Sequence, residues 1–201
     1  MAERARLEHP GAIAITAGLG FLASAAVASG DQVARWELDL TRWLNDAPQW
    51  VADVLYPVMQ LGTLMAPLIV AVIVLVLRRD WPLAVATVVA GLIAWFGAKG
   101  VKRVVARGRP LEFLPDIHVR EGAGTGLGFI SGHSAVAAAS AVMLMVALPP
   151  RWRPVAAALV VLVGIARIVF GVHLPADVVG GWSFGVLVAL GCLWLLDVFE
   201  D

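Results

Sequence analysis

Six long apolar stretches separated by short charged segments run through the chain, at residues 11 to about 29, about 54–77, 81–98, 134–148, 154–170 and about 176–196. A helix needs about 20 mostly apolar residues to cross a hydrocarbon core. The pattern therefore predicts an all-α, polytopic membrane protein, a bundle of six transmembrane helices, in which the fourth and fifth stretches are short for the task. Pro57, Gly62 and Pro67 lie inside the second stretch and predict a kinked or locally rewound helix whose freed backbone groups are satisfied by neighbours. Residues 33–44 predict a short amphipathic helix at the interface, with Trp36 and Trp43 as anchors. No linker, repeat or low-complexity block divides the chain, which reads as one domain over 1–201.

Composition agrees with a bilayer: 60% of residues are hydrophobic and 15% charged, against about 45–50% and about 25% in ordinary soluble domains. A formal net charge of zero gives no reason to expect nucleic acid or another polyanionic partner. The single cysteine, Cys192, can form neither an internal disulfide nor, alone, a cysteine metal site.

Local charge orients the bundle. Arg4 and Arg6 precede the first stretch, Arg78 and Arg79 follow the second, and Arg151 and Arg153 follow the fourth, all on one side. The opposite loop, 31–53, carries Asp31, Glu37, Asp39, Asp46 and Asp53 against only Arg35 and Arg42. Positive charge in short loops marks the cytoplasmic face, so both termini are expected in the cytoplasm. Segment 99–120 breaks the rule, being rich in Lys and Arg yet outside, which suggests a functional demand for positive charge. Arg4, Arg6, the apolar run and the small residues Ala26 and Ala28 also resemble a secretory signal. Its cleavage would remove one span and leave the others oriented as before.

The unusual polar residues gather on that outer side in three clusters. Lys102, Arg103, Arg107, Arg109 and Pro110 follow the third stretch; a guanidinium fork and a compact ammonium suit a tetrahedral dianion, although the same cations can simply meet lipid headgroups. Ser131, Gly132, His133 and Ser134 precede the fourth stretch, after a run containing Gly122, Gly124, Gly126 and Gly128. Ser131 is a natural N-cap, Gly132 lets a ligand approach the backbone, and free amides at a helix start attract anions; His133 is placed to donate a proton, or is an interfacial histidine beside an ordinary cap. Arg167, His173 and Asp177 form the third cluster. His173 and Asp177 are four apart, which on a helix stacks them on one face, and Pro175 suits the first turn of the last helix. A carboxylate there can hold one imidazole nitrogen and leave the other free to attack. Arg167, among apolar residues, sits within or at the edge of the membrane, where an ionisable side chain reads as functional; a structural ion pair with Asp177 is the plainer alternative.

Together the clusters resemble the three-part signature of the type 2 phosphatidic acid phosphatase superfamily, which includes vanadium haloperoxidases and bacterial acid phosphatases. Lys, six residues, Arg, Pro is met by Lys102, Arg109 and Pro110; Pro-Ser-Gly-His by Ile130, Ser131, Gly132 and His133; Ser-Arg, five residues, His, three residues, Asp by Ala166, Arg167, His173 and Asp177. Ile130 for Pro and Ala166 for Ser are the departures, and neither removes a catalytic group. The resemblance implies that His173 attacks phosphorus to form a phosphohistidine, Asp177 orients it, and His133 protonates the leaving group. Lys102, Arg109 and Arg167, with Ser131 and the Gly132 amide, would hold the phosphate oxygens, and neither a metal nor another cofactor is required.

The expected function is hydrolysis of a lipid phosphomonoester or diphosphate at the outer face of a bacterial inner membrane. Polyprenyl diphosphate is the first expectation; phosphatidylglycerol phosphate, phosphatidic acid and a polyprenyl-phosphosugar phosphate follow. A phosphotransferase using the same intermediate, and a lipid-binding or transport protein whose cations only grip headgroups, remain open, and a vanadate-dependent peroxidase is disfavoured by the small membrane bundle. Glu112, Asp116, His118, Arg120 and Glu121, in the loop 111–128, have no assigned role.

Overall fold

A computed structural model describes residues 7–196; Arg4 and Arg6, used for orientation, lie outside the described residues. Every regular element among those residues is helical, without a strand. The helices are α1 (Pro10–Ala28), α2 (Arg35–Asn45), α3 (Gln49–Met59), α4 (Met65–Arg78), α5 (Trp81–Val105), the single turn α6 (Pro110–Phe113), α7 (Gly132–Ala147), α8 (Arg153–Val169) and α9 (Pro175–Trp194).

Four segments, Pro10–Ala28, Trp81–Phe113, Pro150–Val169 and Pro175–Trp194, are long and apolar enough to cross a membrane. The second predicted span is broken: Gln49–Gly62 and Met65–Arg78 meet at 67°, and together they make a fifth candidate. Pro57 and Pro67 lie on either side of that break, and the chain passes it through a 3₁₀ turn over Gln60–Gly62. The fourth predicted stretch is α7, only 16 residues. At about 1.5 Å per residue it is shorter than the roughly 30 Å hydrocarbon core.

The shortness of α7 goes with its place. It is sheathed by α4, α5, α8 and α9, and its small residues let those neighbours come close. Gly185 of α9 lies against the carbonyl of Ala135, a site where no larger side chain fits, in the manner of small-residue interfaces between membrane helices. The core around it is alanine and valine with Leu83, Met143 and Leu193. α1 packs along α9, with the Phe21 and Phe184 rings 6.1 Å apart.

At the far end from the predicted site, Arg78 Nε donates to the Ala147 carbonyl at the end of α7 (2.6 Å), and Arg153 stands 3.9 Å from Glu8. The basic ends of α4 and α8 thus share one end of the bundle, as the charge pattern predicts.

α2 departs from a purely interfacial helix. Trp36 and Trp43 are exposed, as anchors would be, but Glu37, Thr41 and Asn45 at i, i+4 and i+8 form a buried polar stripe facing the bundle. Asn45 works as a pin. Its amide donates to the carbonyls of His118 (2.8 Å) and Val169 (2.9 Å), and its Oδ1 accepts from the His118 amide at 2.8 Å. The loop after α6, the end of α8 and the end of α2 are held at one point. Each such bond contributes about 1 kcal/mol net, and more when loss leaves a buried partner unsatisfied. Asn45→Ala is therefore expected to cost about 2–3 kcal/mol, read from the denaturation midpoint of the purified protein in detergent; a change below about 0.5 kcal/mol would remove the pin from the account.

Candidate active site

α5 does not end where its apolar pattern ends. The backbone stays helical through the cations to Val105, so Trp95, Lys99 and Lys102 stand on successive turns of one face. The helix then stops at Ala106, whose φ of 52° lies in the left-handed region. Beyond this turn Arg107 and Arg109 reach different partners.

Lys102, Arg109, Gly132, His133, Arg167 and His173, with Lys99, Trp95 and Ala98, wall a cavity of about 270 Å³. The three sequence clusters, which span more than seventy residues, thus meet at one place. Among the described residues its wall carries four cations and no carboxylate. Such a concave, low-dielectric site with one sign of charge concentrates anions. Part of the donor capacity is free: Nε of Arg109 and Nε of Arg167 are buried without a hydrogen-bond partner. The rest fixes the geometry. Lys102 Nζ donates to the carbonyls of Leu127 (3.0 Å) and Gly128 (2.5 Å), Arg109 Nη1 donates to the Ala123 carbonyl (2.5 Å), and Arg167 Nη1 contacts Met59 Sδ at 2.9 Å. The glycine-rich loop is thereby tied to the cations, with Gly122 at φ 75° and Gly126 at φ 100° supplying turns that other residues resist.

Ser131 is the N-cap of α7, accepting from the Ser134 amide at 3.4 Å. It is fully buried and does not line the cavity; Gly132 and His133 do. The first amides of a helix have no intrahelical partner, so the wall here offers N–H donors at the positive end of α7. His133 is fixed from two sides. Its ring meets Trp95 edge-on with centroids 5.8 Å apart, and Gly62 abuts it so closely that an added Cβ would stand 2.7 Å from the His133 Cβ. The break between α3 and α4 is what brings Gly62 there, while the end of α3 delivers Met59 to Arg167.

His173 and Asp177 meet as the spacing predicts, but not by stacking on one helix face. His173 lies in the turn before α9, and Asp177 sits in the first turn of that helix. The carboxylate folds back over the helix start: Oδ2 accepts from the Leu174 amide (3.0 Å) and pairs with His173 Nδ1 at 3.3 Å. This leaves Nε2 as the unengaged ring nitrogen of a residue on the cavity wall. Complete burial, then the nearby Lys102, Arg167, Arg109 and His133, pushes the imidazole well below the usual histidine range. At neutral pH the ring is uncharged and its lone pair is available.

Arg107, grouped by sequence with the phosphate-facing cations, points the other way. Its guanidinium is buried between two fully buried carboxylates, bonded through Nη2 to Glu37 Oε2 and through Nη1 to Asp177 Oδ1 at 3.3 Å. Arg103 is exposed. In the unassigned loop, Glu112 accepts from the Arg109 amide (3.4 Å), Asp116 faces Arg42 (3.8 Å), and Arg120 donates to the carbonyls of Val169 and Ala47, each at 2.6 Å. Lys99 and Glu37 escaped the sequence reading. Lys99 had a signal in its i, i+3 relation to Lys102; Glu37 had one in the Glu37, Thr41, Asn45 stripe.

A family profile described as the PAP2 superfamily matches residues 81–200. Over 117 residues the chain is 30% identical to an undecaprenyl-diphosphatase of Sulfolobus acidocaldarius, covering 58% of this chain and 56% of the relative. Over 104 residues it is 40% identical to a decaprenylphosphoryl-5-phosphoribose phosphatase of Mycolicibacterium smegmatis, covering 52% and 53%. The chain thus spans about half the length of these curated relatives. The fold is similar to the crystal structure of a transmembrane PAP2-type phosphatidylglycerolphosphate phosphatase from Bacillus subtilis, with a TM-score of 0.77 at 24% identity over 94% of this chain and 98% of that one. It is also similar to LpxE of Aquifex aeolicus, with a TM-score of 0.69 at 22% identity over 78% and 94%. The profile covers more than half of the chain, including the cavity's cations and both histidines, and with it this helical membrane bundle belongs to the PAP2 superfamily.

Proposed function

We propose that the chain is an integral membrane lipid phosphate phosphatase, working through a phosphohistidine at the outer face of a bacterial inner membrane. The observation that carries this reading is a cavity walled by cations and two imidazoles, one of them backed through Nδ1 by a buried carboxylate. Binding alone needs no such dyad. The cavity volume falls just below that of most ligand clefts, about 300–1,000 Å³. That size suits a phosphate-bearing headgroup whose tail stays in the bilayer.

In this reading the terminal phosphate sits among Lys102, Arg109 and Arg167 and against the Gly132 amide, while Ser131 acts by capping the turn that presents that amide. His173 Nε2 attacks phosphorus as the bond to the bridging oxygen breaks. His133 gives that oxygen its proton, and the His173 ring takes up a positive charge opposite Asp177. Water, losing a proton to His133, then attacks the phosphohistidine, releases inorganic phosphate and returns the electron pair to Nε2. Catalysis of this kind is mostly positioning and electrostatic stabilisation, and here lysine and arginine supply the charge.

Both curated relatives are named for polyprenyl lipids bearing a phosphate, and that shared chemistry is the substrate class proposed. Undecaprenyl or decaprenyl diphosphate comes first. A polyprenyl-phosphosugar phosphate is the second reading, favoured by the 40% identity to the phosphoribose phosphatase; phosphatidylglycerol phosphate and phosphatidic acid follow.

Purified protein in detergent, offered a panel of these lipids, should release phosphate, and His173→Ala should lower kcat by at least about a thousandfold on every active one. Retained turnover in that variant would sink the mechanism. His133→Ala should slow a lipid phosphomonoester by about 10²–10⁴-fold and a diphosphate less, because a diphosphate leaves as an already stable phosphate anion. Equal losses on the two would remove the proton-donor role. Excess EDTA is expected to leave the rate unchanged; inhibition reversed by a divalent cation would overturn metal independence.

A further inference from the structure

Behind His173, away from the cavity, two carboxylates share one guanidinium. Asp177 uses Oδ2 for His173 and the Leu174 amide, and Oδ1 for Arg107 Nη1 at 3.3 Å. The same Nη1 is 3.3 Å from Glu37 Oε1, Nη2 bonds Glu37 Oε2, and Glu37 Oε1 also accepts the Ala176 amide at 2.9 Å. Glu37 and Asp177 have no exposed surface, and Arg107 is 7% exposed. Both carboxylates therefore sit on amides at the start of the 20-residue α9, those of its N-cap Leu174 and of Ala176, where the helix dipole favours negative charge.

We propose that Glu37 is a positioning residue for the His173 nucleophile, acting through Arg107 on Asp177. Charge accounting gives the reason. With Glu37 ionised, the trio carries one net negative charge, which matches the one positive charge that the His173 ring acquires on attacking phosphorus. Without it, Arg107 and Asp177 cancel, and the ring's charge develops uncompensated in a buried site facing Lys102, Arg109 and Arg167, where electrostatic differences are little screened. Arg107 would also draw wholly onto Asp177, weakening that carboxylate as an acceptor for Nδ1–H. Partners one step removed from the reacting group commonly tune it in this way. Glu37 lies on α2, outside the segment that matches the family profile.

The inference rests on the phosphohistidine reading, and the test separates the two. Steady-state kinetics and rapid-quench phosphoenzyme formation are measured in detergent for wild type, His173→Ala, Glu37→Gln and Glu37→Asp on a lipid phosphate that wild type hydrolyses. Glu37→Gln should lower kcat and the phosphorylation rate by about 10- to 100-fold with KM changed less than about twofold, since the cavity wall is untouched. Glu37→Asp, which keeps the charge, should recover a large part of that loss. A Gln variant with wild-type kcat, or an Asp variant no better than Gln, overturns the proposal while wild-type activity and an inactive His173→Ala leave the phosphatase reading standing. No phosphate release from wild type, or retained release by His173→Ala, fails the phosphatase reading instead. Removing one member of a buried charge network is destabilising. If Glu37→Gln does not accumulate folded, Glu37→Met, neutral and of similar length, takes its place with the same outcomes: a lowered kcat at unchanged KM is expected, and a wild-type kcat overturns the proposal.

Discussion

An apolar bundle has few means of keeping three arginines and two lysines close together, and the cavity end of this molecule is organised by how their charge is met. Charged groups taken from water need partners of opposite sign or a full set of hydrogen bonds. The chain divides the task by direction. Behind His173, Arg107 is met by carboxylates from two helices. On the cavity side, among the described residues, Lys102 and Arg109 give their hydrogen bonds to backbone carbonyls of the glycine-rich loop, and Arg167 contacts a thioether. Carbonyl dipoles fix an ammonium or guanidinium in place without cancelling its charge, so the wall stays electropositive. A phosphate anion is the natural complement to that unspent charge.

Much of this was legible in the sequence because the relevant distances are short along the chain. Lys102 to Arg109, Ser131 to His133 and Arg167 to Asp177 are each local, and each local geometry carries most of its own meaning. The contact between His173 and Asp177 could be anticipated from their separation, yet its form could not. It depends on α9 starting between them, so that the carboxylate caps the helix and reaches back.

The parts that stayed hidden share a different property. Arg107 sits two residues from Arg109, yet in the irregular backbone after Ala106 the two reach different partners, and no pattern of residue types announces that divergence. Glu37 bonds the backbone 139 residues away, in a helix whose exposed tryptophans advertise only its outer face. The fourth apolar stretch looked too short to span because length was judged against lipid. Surrounded by protein, α7 has no such requirement.

That last point bears on how the molecule responds to its surroundings. The helices that meet lipid, α1 above all, must follow the thickness of the bilayer by tilting or by drawing lipid toward them. α7 is insulated from this adjustment by its four neighbours, and it carries Gly132 and His133 at one end. The depth of the anion site is thus referenced to other helices and not to the hydrocarbon boundary, which makes the site a passenger of the protein scaffold in membranes of differing thickness.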